Sequence, residues 1–362
     1  MKKTVVISAP EFYGIDNDIE EAFEAVGFKT FLINDRSTKI SLFERIANRV
    51  GMKLSWSKPL RNLILKLYLE KENREFISYV NKQQPDLIFI VKGDFIFPST
   101  LNKLKQVISC PIVAYAWDDP FHSGKNDYTD NYRKVNFKNG IPLYNMIFVF
   151  DSFYVDEIRR HEGKDVRYLP LATNPKTFSS IVLTEQDKVA YGYDVCFVGM
   201  PFPNRIDLFN DLNRYGYNVG VFGDHWTKAF MIRGQKAPSY YKGKATGKTV
   251  NKIYMSSKIA LNIHHPHSIE GLNTRTFDIP ACGAFEIVDY KKSLAEHFEI
   301  DKEIVAFEDV NKLKSKIDFY LKNTALRKAI SENGKKRVLN EHTWVHRVSD
   351  VITALRETGY PL

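Results

Sequence analysis

Glu270 and Asp278 stand eight residues apart in a segment whose pattern suits an anion and the hydroxyls beside it. The apolar run Ile259–His264 predicts a strand, and the residues from about Leu272 to Ala281 predict a helix. The first turn of a helix has amides without intrahelical partners and carries the positive end of the helix dipole. The N–H groups of Leu272, Asn273 and Thr274 are therefore expected to meet a phosphate, and Gly271 lets the backbone approach it closely. Asp278, two turns into the helix, is positioned to accept hydrogen bonds from ribose hydroxyls. Glu270, at the loop end, is positioned to meet a sugar, and Gly283 lets the chain leave the helix for the next strand.

The surrounding sequence carries the matching charge. The formal net charge is +9, and no acidic residue lies between Asp224 and Glu270. That stretch holds Lys228, Arg233, Lys236, Lys242, Lys244, Lys248, Lys252 and Lys258. Such a field suits a diphosphate, although a solvated basic face accounts for most of these lysines singly. Lys242 and Lys244, flanking Gly243, are candidates for phosphate. Arg205 follows the first strand of this half and is either a diphosphate ligand or a surface arginine. Arg275 has the spacing to pair with Asp278 or to face phosphate. Trp226, in Gly223-Asp-His-Trp226, either stacks on a nucleobase, as His225 also could, or packs in the core. His264, His265 and His267 are zinc ligands by type, but no carboxylate or cysteine completes a set, so no metal is expected. Contact of His264 or His265 with a sugar or phosphate is the reading kept.

The first half offers fewer candidates. Trp117-Asp-Asp-Pro120 ends an apolar strand, and Asp118 or Asp119, with His122 near, could take a proton from an attacking hydroxyl. The alternative is a capped turn holding Pro120. Two adjacent aspartates also lack the spacing of a metal-holding Asp-x-Asp pair. Gly14, in the loop after the first strand, permits close approach of a ligand or makes a tight turn.

These residues need a scaffold of alternating strands and helices. Thr4–Pro10, Lys29–Ile33, Leu87–Lys92, Ile112–Trp117, Met146–Phe150 and Val166–Leu169 read as strands, with a helix at Ile19–Val26. A polar stretch, Asn174–Asp187, is taken as a linker. Beyond it Asp194–Gly199, Val219–Phe222, Ile259–His264, Ala284–Val288 and Ile304–Phe307 repeat the pattern, with helices at Asn311–Lys322 and Leu326–Glu341. The 362 residues thus divide into an N-terminal Rossmann-like half, 1–175, and a C-terminal one, 188–345. A last helix, 346–362, is expected to return to the first half. Two such halves leave a central cleft, and ligands bind beyond the carboxyl ends of parallel strands.

The segment Ser41–Glu75 is basic and amphipathic, with Leu42, Phe43, Ile46, Val50, Leu54 and Trp56 at apolar positions. It reads as helices packed on the sheet or as a surface that meets a membrane or lipid-linked acceptor. Cys110, Cys196 and Cys282 follow no metal or disulfide spacing and read as reduced core thiols. A cytoplasmic location is expected, with the inner face of the membrane as its other form. No nucleic-acid motif appears, so nucleic acid is not an expected partner.

Glu270-Gly-Leu-Asn-Thr-Arg-Thr-Phe-Asp278 resembles the acidic-x7-acidic motif of GT-B glycosyltransferases, with Asp in place of the second Glu. The wider stretch resembles their CgeB-like branch through Leu261-Asn-Ile-His-His, Asn273-Thr-Arg-Thr-Phe, Ala281-Cys-Gly-Ala-Phe and Arg337-Val-Leu-Asn-Glu-His-Thr-Trp-Val-His-Arg347. The likeness covers about Asp194 to Val351. In the first half, Pro85-Asp-Leu-Ile-Phe-Ile-Val-Lys-Gly and Trp117-Asp-Asp-Pro120 look like the branch's companion domain. The resemblance implies an α/β GT-B fold of two Rossmann-like domains facing a cleft. It also implies transfer of a hexose from a nucleotide sugar, commonly UDP-linked, without a cofactor or tightly bound metal. The acceptor would be a surface glycan, a lipid-linked oligosaccharide or a protein. The alternative is a non-catalytic nucleotide-sugar-binding module derived from a transferase.

Overall fold

Short apolar runs, most of them bounded by turns, form two six-stranded parallel sheets in the computed structural model, which describes residues 2–11, 13–34, 58–121 and 130–362. The first sheet comprises β1 (Thr4–Ala9), β2 (Lys29–Asn34), β3 (Leu87–Val91), β4 (Ile112–Ala116), β5 (Met146–Val149) and β6 (Val166–Tyr168), in the order β2-β1-β3-β4-β5-β6. The second comprises β7 (Val195–Val198), β8 (Val219–Phe222), β9 (Tyr241–Gly243), β10 (Ile259–Asn262), β11 (Glu286–Asp289) and β12 (Val305–Phe307), in the order β12-β11-β10-β7-β8-β9. All five residues of β3 and of β4 are buried, as sheets with both faces covered require. In the second sheet the order reverses between β7 and β10, the switch point at which a parallel sheet opens a crevice beyond its carboxyl ends.

The chain divides into two units, Met1–Leu169 with Val348–Leu362, and Pro170–Arg347. The helix Trp344–Glu357 begins in the second and continues in the first. Asn174–Asp187, read above as a linker, is instead seated on the second unit. The Asn251 side-chain amide donates to the Thr177 carbonyl (2.8 Å), the Ser180 hydroxyl donates to the Cys282 carbonyl (2.8 Å), and Lys252 pairs with Asp187 (2.8 Å). Asp187 also closes a capping box with Thr184 at the start of the helix Glu185–Tyr191. Strand β9, three residues long, is too short for a periodic signal, and the first helix starts at Ile15 rather than Ile19 because Gly14 at its N-cap turns the chain early. The apolar positions Leu42, Phe43, Ile46, Val50, Leu54 and Trp56, and His122, lie outside the described residues.

Behind the helix Arg275–Ala281, the second unit packs a half-buried His297 against Phe277 and a buried His342 against Phe277 and Phe298. His342 Nε2 donates to the His297 carbonyl (3.2 Å), and its Nδ1 accepts from Arg347 (2.8 Å). This arrangement requires a neutral ring. Burial first, then the Arg347 charge, holds His342 at about 4, while burial and His342 hold His297 at about 3. Both lie below the usual value near 6.5. The unfolded chain therefore binds protons before the folded chain does. Stability is full above pH ~6.5 and falls as pH drops towards 4, by up to about 1.4 kcal/mol per pH unit for each imidazole. Urea titrations from pH 7 to 4.5 should show this fall, with a flatter slope in His342→Gln; an equal slope would remove His342 from it.

Candidate functional site

The site is built where β10 ends. A loop, 263–274, runs from Asn262 to the helix Arg275–Ala281, whose N-cap is Thr274. The helix starts three residues later than the sequence suggested. The Thr276 amide is held by the Asn273 carbonyl and side chain (both 3.2 Å), and the Phe277 and Asp278 amides by the Thr274 carbonyl (both 2.9 Å). The N–H groups of Gly271, Leu272, Asn273, Thr274 and Arg275 have no partner among the described residues. Gly271 and Leu272 are buried, and the other three are half-buried. Consecutive amides of this kind are donors that a buried backbone must otherwise satisfy, and they suit an anion.

Two guanidiniums add charge at the switch point. Arg205, on the helix Pro203–Arg214 after β7, is 3% exposed, which settles the choice against a surface arginine. It donates to the carbonyls of Met200 (2.9 Å) and Ile263 and lies over the rings of Phe197 (5.1 Å) and Phe202 (4.7 Å). Its Nε is buried and has no partner among the described residues. Burial, then the nearby Arg275 charge, brings it down to about 9, so it stays protonated at neutral pH. Arg275 Nε donates to the Val198 carbonyl (2.6 Å) rather than to Asp278, which corrects the pairing suggested by their spacing. The residues after β7 and β10 thus present two cations with carbonyl partners and no ion-paired carboxylate.

The carboxylates differ in setting. Glu270 is half-buried and paired with Lys292 (2.9 Å), while Asp278 is 6% exposed. His264 is not a ligand-facing residue. Its side chain is wholly buried, with Nδ1 on Asp289 (2.7 Å) and Nε2 near the Thr276 hydroxyl (3.4 Å). Burial alone would raise the Asp289 carboxyl, but the hydrogen bonds and charge of His264 outweigh it and hold it below its usual value. His265 sits edge-on to Phe202 (4.4 Å), with its Nδ1 accepting from the His267 amide (3.0 Å). Among the described residues no three His, Cys, Asp or Glu side chains gather in a way that could hold a metal.

Other candidates lie elsewhere. Trp226 is fully buried, donates to the Gly199 carbonyl (2.7 Å) and stacks on Tyr241, so it is a core residue and offers no face to a base. Lys242 is on edge strand β9, above the Tyr193 ring (5.7 Å), and Lys244 pairs with Asp224. Three strand spacings, ~14 Å, separate β9 from β10, so these lysines stand apart from the amide row. In the first unit Gly14 caps its helix at φ 84°, with open space where a Cβ would be. Asp118 is half-exposed and paired with Lys92 (2.8 Å). Asp119 is 2% exposed and its Oδ1 accepts from the Phe121 amide (2.9 Å), so it holds the turn at Pro120 and is not the exposed base considered above.

Sequence reasoning missed Asn262, Thr276, Glu286, Asp289 and Lys292. Polar residues at the ends of β10 and β11, and a glutamate inside the apolar run Ala284–Val288, were the available signals.

Residues 205–353 match the family described as glycosyl transferase-like. The spore protein CgeB of Bacillus subtilis (strain 168) is 26% identical over 286 residues, 74% of this chain and 83% of CgeB. Among solved structures, sucrose-phosphate synthase from Thermosynechococcus elongatus has a TM-score of 0.69 at 13% identity, covering 99% of both chains. HepE of Anabaena, in complex with UDP-glucose, has a TM-score of 0.64 at 10% identity over 99% of this chain and 100% of its own. None of the described helices is long and apolar enough to cross a membrane. The fold is that of the GT-B glycosyltransferases, and the likeness to the glycosyl transferase-like family lies mainly in the second unit, over residues 205–347.

Proposed function

We propose that the protein transfers a hexose from a UDP-sugar to a hydroxyl of a glycan, glycolipid or protein acceptor. The observation that carries this is the row of amides from Gly271 to Arg275 that have no partner among the described residues, beside two guanidiniums that pair with carbonyls and, among those residues, with no carboxylate. Such a set matches the charge that develops on a departing nucleoside diphosphate and needs no reorganisation as the glycosidic bond breaks. Asp278 is the candidate for the ribose hydroxyls. Glu270, steadied by Lys292, is the candidate for the donor sugar. The UDP-glucose bound by HepE supports uracil as the base. Asp118, ion-paired and half-exposed, is the candidate for meeting the acceptor hydroxyl. The inner membrane face, where lipid-linked acceptors are presented, is the proposed place of action.

UDP release from a panel of UDP-hexoses tests the reading. Wild-type protein should release UDP from at least one donor, and Glu270→Ala and Asp278→Ala should each lower kcat/KM by about 100-fold. Undiminished turnover in both variants would overturn the site. Tight UDP binding without release from any donor would mark a binding module instead.

A further inference from the structure

We propose that Glu286 is a positioning residue for the phosphate-facing loop: from inside the sheet it holds Asn262 against Asn273, and that amide pair fixes the N–H row from Gly271 to Arg275. The proposal rests on the donor-site reading above and names a residue two elements away from the phosphate.

Glu286 opens β11 and is 2% exposed. Its Oε1 accepts from Asn262 Nδ2 (2.8 Å), the shortest of three contacts that amide makes. The other two are to the Thr276 hydroxyl (3.1 Å) and to Asn273 Oδ1 (3.2 Å). Asn273 Nδ2 donates back to Asn262 Oδ1 (2.9 Å), so the two amides form a reciprocal pair. Asn273 Oδ1 in turn accepts from the Thr276 amide (3.2 Å), which closes the turn and sets where the helix begins. The bonds from Asn262 to Glu286 and Thr276 are buried and those to Asn273 partly so, and loss of a buried partner leaves a polar atom unsatisfied. The chain of contacts runs from an interior strand, β11, to the middle of the amide row.

A glutamate is an expensive way to supply one acceptor. Among the described residues its Oε2 has no partner and no cation is bonded to it. Burial keeps its carboxyl well above the usual carboxylate range. Asn262 opposes that shift, Asp278 from the facing helix and Asp289 from its own strand reinforce it, and Arg275 opposes it. The side chain therefore acts as a neutral acid that accepts one hydrogen bond. Glutamine in the same place would accept the same bond, and leucine would leave Asn262 without its nearest acceptor.

The test uses Glu286→Gln, Glu286→Leu and Asn273→Ala in the full chain, with UDP and uridine as probes. Asn273 is half-buried, so its truncation leaves the sheet intact if Glu286→Leu fails to fold. Glu286→Gln should bind UDP within about twofold of wild type. Glu286→Leu and Asn273→Ala should lose UDP affinity by about tenfold or more, while uridine, which lacks phosphate, binds within about twofold of wild type. Folded Glu286→Leu or Asn273→Ala with wild-type UDP affinity would overturn the proposal. So would Glu286→Gln as weak as Glu286→Leu, or equal losses for UDP and uridine. Failure of the wild-type protein to bind UDP would strike the donor-site reading instead.

Discussion

Replacing Arg205 by methionine should lower UDP affinity by about 100-fold or more, the equivalent of about 2.7 kcal/mol, while leaving the chain folded. The guanidinium is buried, unpaired by any carboxylate and close enough to Arg275 for their charges to repel. Holding such a group in the interior opposes folding, and an apolar side chain of similar length removes that burden. Against this, the Met200 and Ile263 carbonyls lose their donor. The two effects oppose each other, so the melting temperature should move by only a few degrees. Nucleotide binding has no such compensation. A lysine should also be defective, because one ammonium cannot copy a planar fork that reaches two carbonyls and still faces an anion. Titration calorimetry with UDP beside thermal unfolding separates the two quantities. A folded Arg205→Met protein with unchanged UDP affinity would make Arg205 a strut between β7 and β10 and nothing more.

The second large effect is on stability. Gly223 follows β8 at φ 143°, and a Cβ there would lie 2.1 Å from the Gly199 carbonyl oxygen. That oxygen also accepts the Trp226 indole N–H, so the backbone cannot retreat without breaking a buried hydrogen bond. Gly223→Ala should cost about 3 kcal/mol or more, from the strained φ and the clash together. For a unit of this size that corresponds to a melting temperature lower by about 6–12 °C. UDP affinity should fall with it, because Gly199 follows β7 beside the guanidinium of Arg275. A Gly223→Ala protein as stable as wild type would show that the two chain segments separate more easily than their packing implies. By contrast, Gly14→Ala meets no neighbouring atom and carries only the strain of φ 84°.

What was legible in the sequence follows from how locally each feature is encoded. Runs such as Leu87–Val91 and Ile112–Ala116 are apolar throughout, and a strand buried on both faces leaves that mark. The loop between strand and helix was readable because Gly271 and the polar residues around it interrupt the apolar pattern. The start of the helix was not readable. It depends on Asn273 being held by Asn262, a contact across eleven residues that periodicity does not report. Arg205 and Trp226 were ambiguous for the opposite reason. Charge suits a ligand or a surface and aromaticity a ligand or the core; burial removes the surface reading for Arg205 and places Trp226 in the core. His264 looked like a ligand because its partner, Asp289, lies at the end of a different strand.

Amide hydrogen exchange over residues 270–277, with and without UDP, tests the central claim most directly. The N–H groups from Gly271 to Arg275 have no acceptor among the described residues, so they should exchange quickly when free. Saturating UDP should slow exchange in this segment by tenfold or more, with smaller changes around Arg205. UDP binding that leaves 270–277 unprotected would contradict the assignment of the loop after β10 as the diphosphate site.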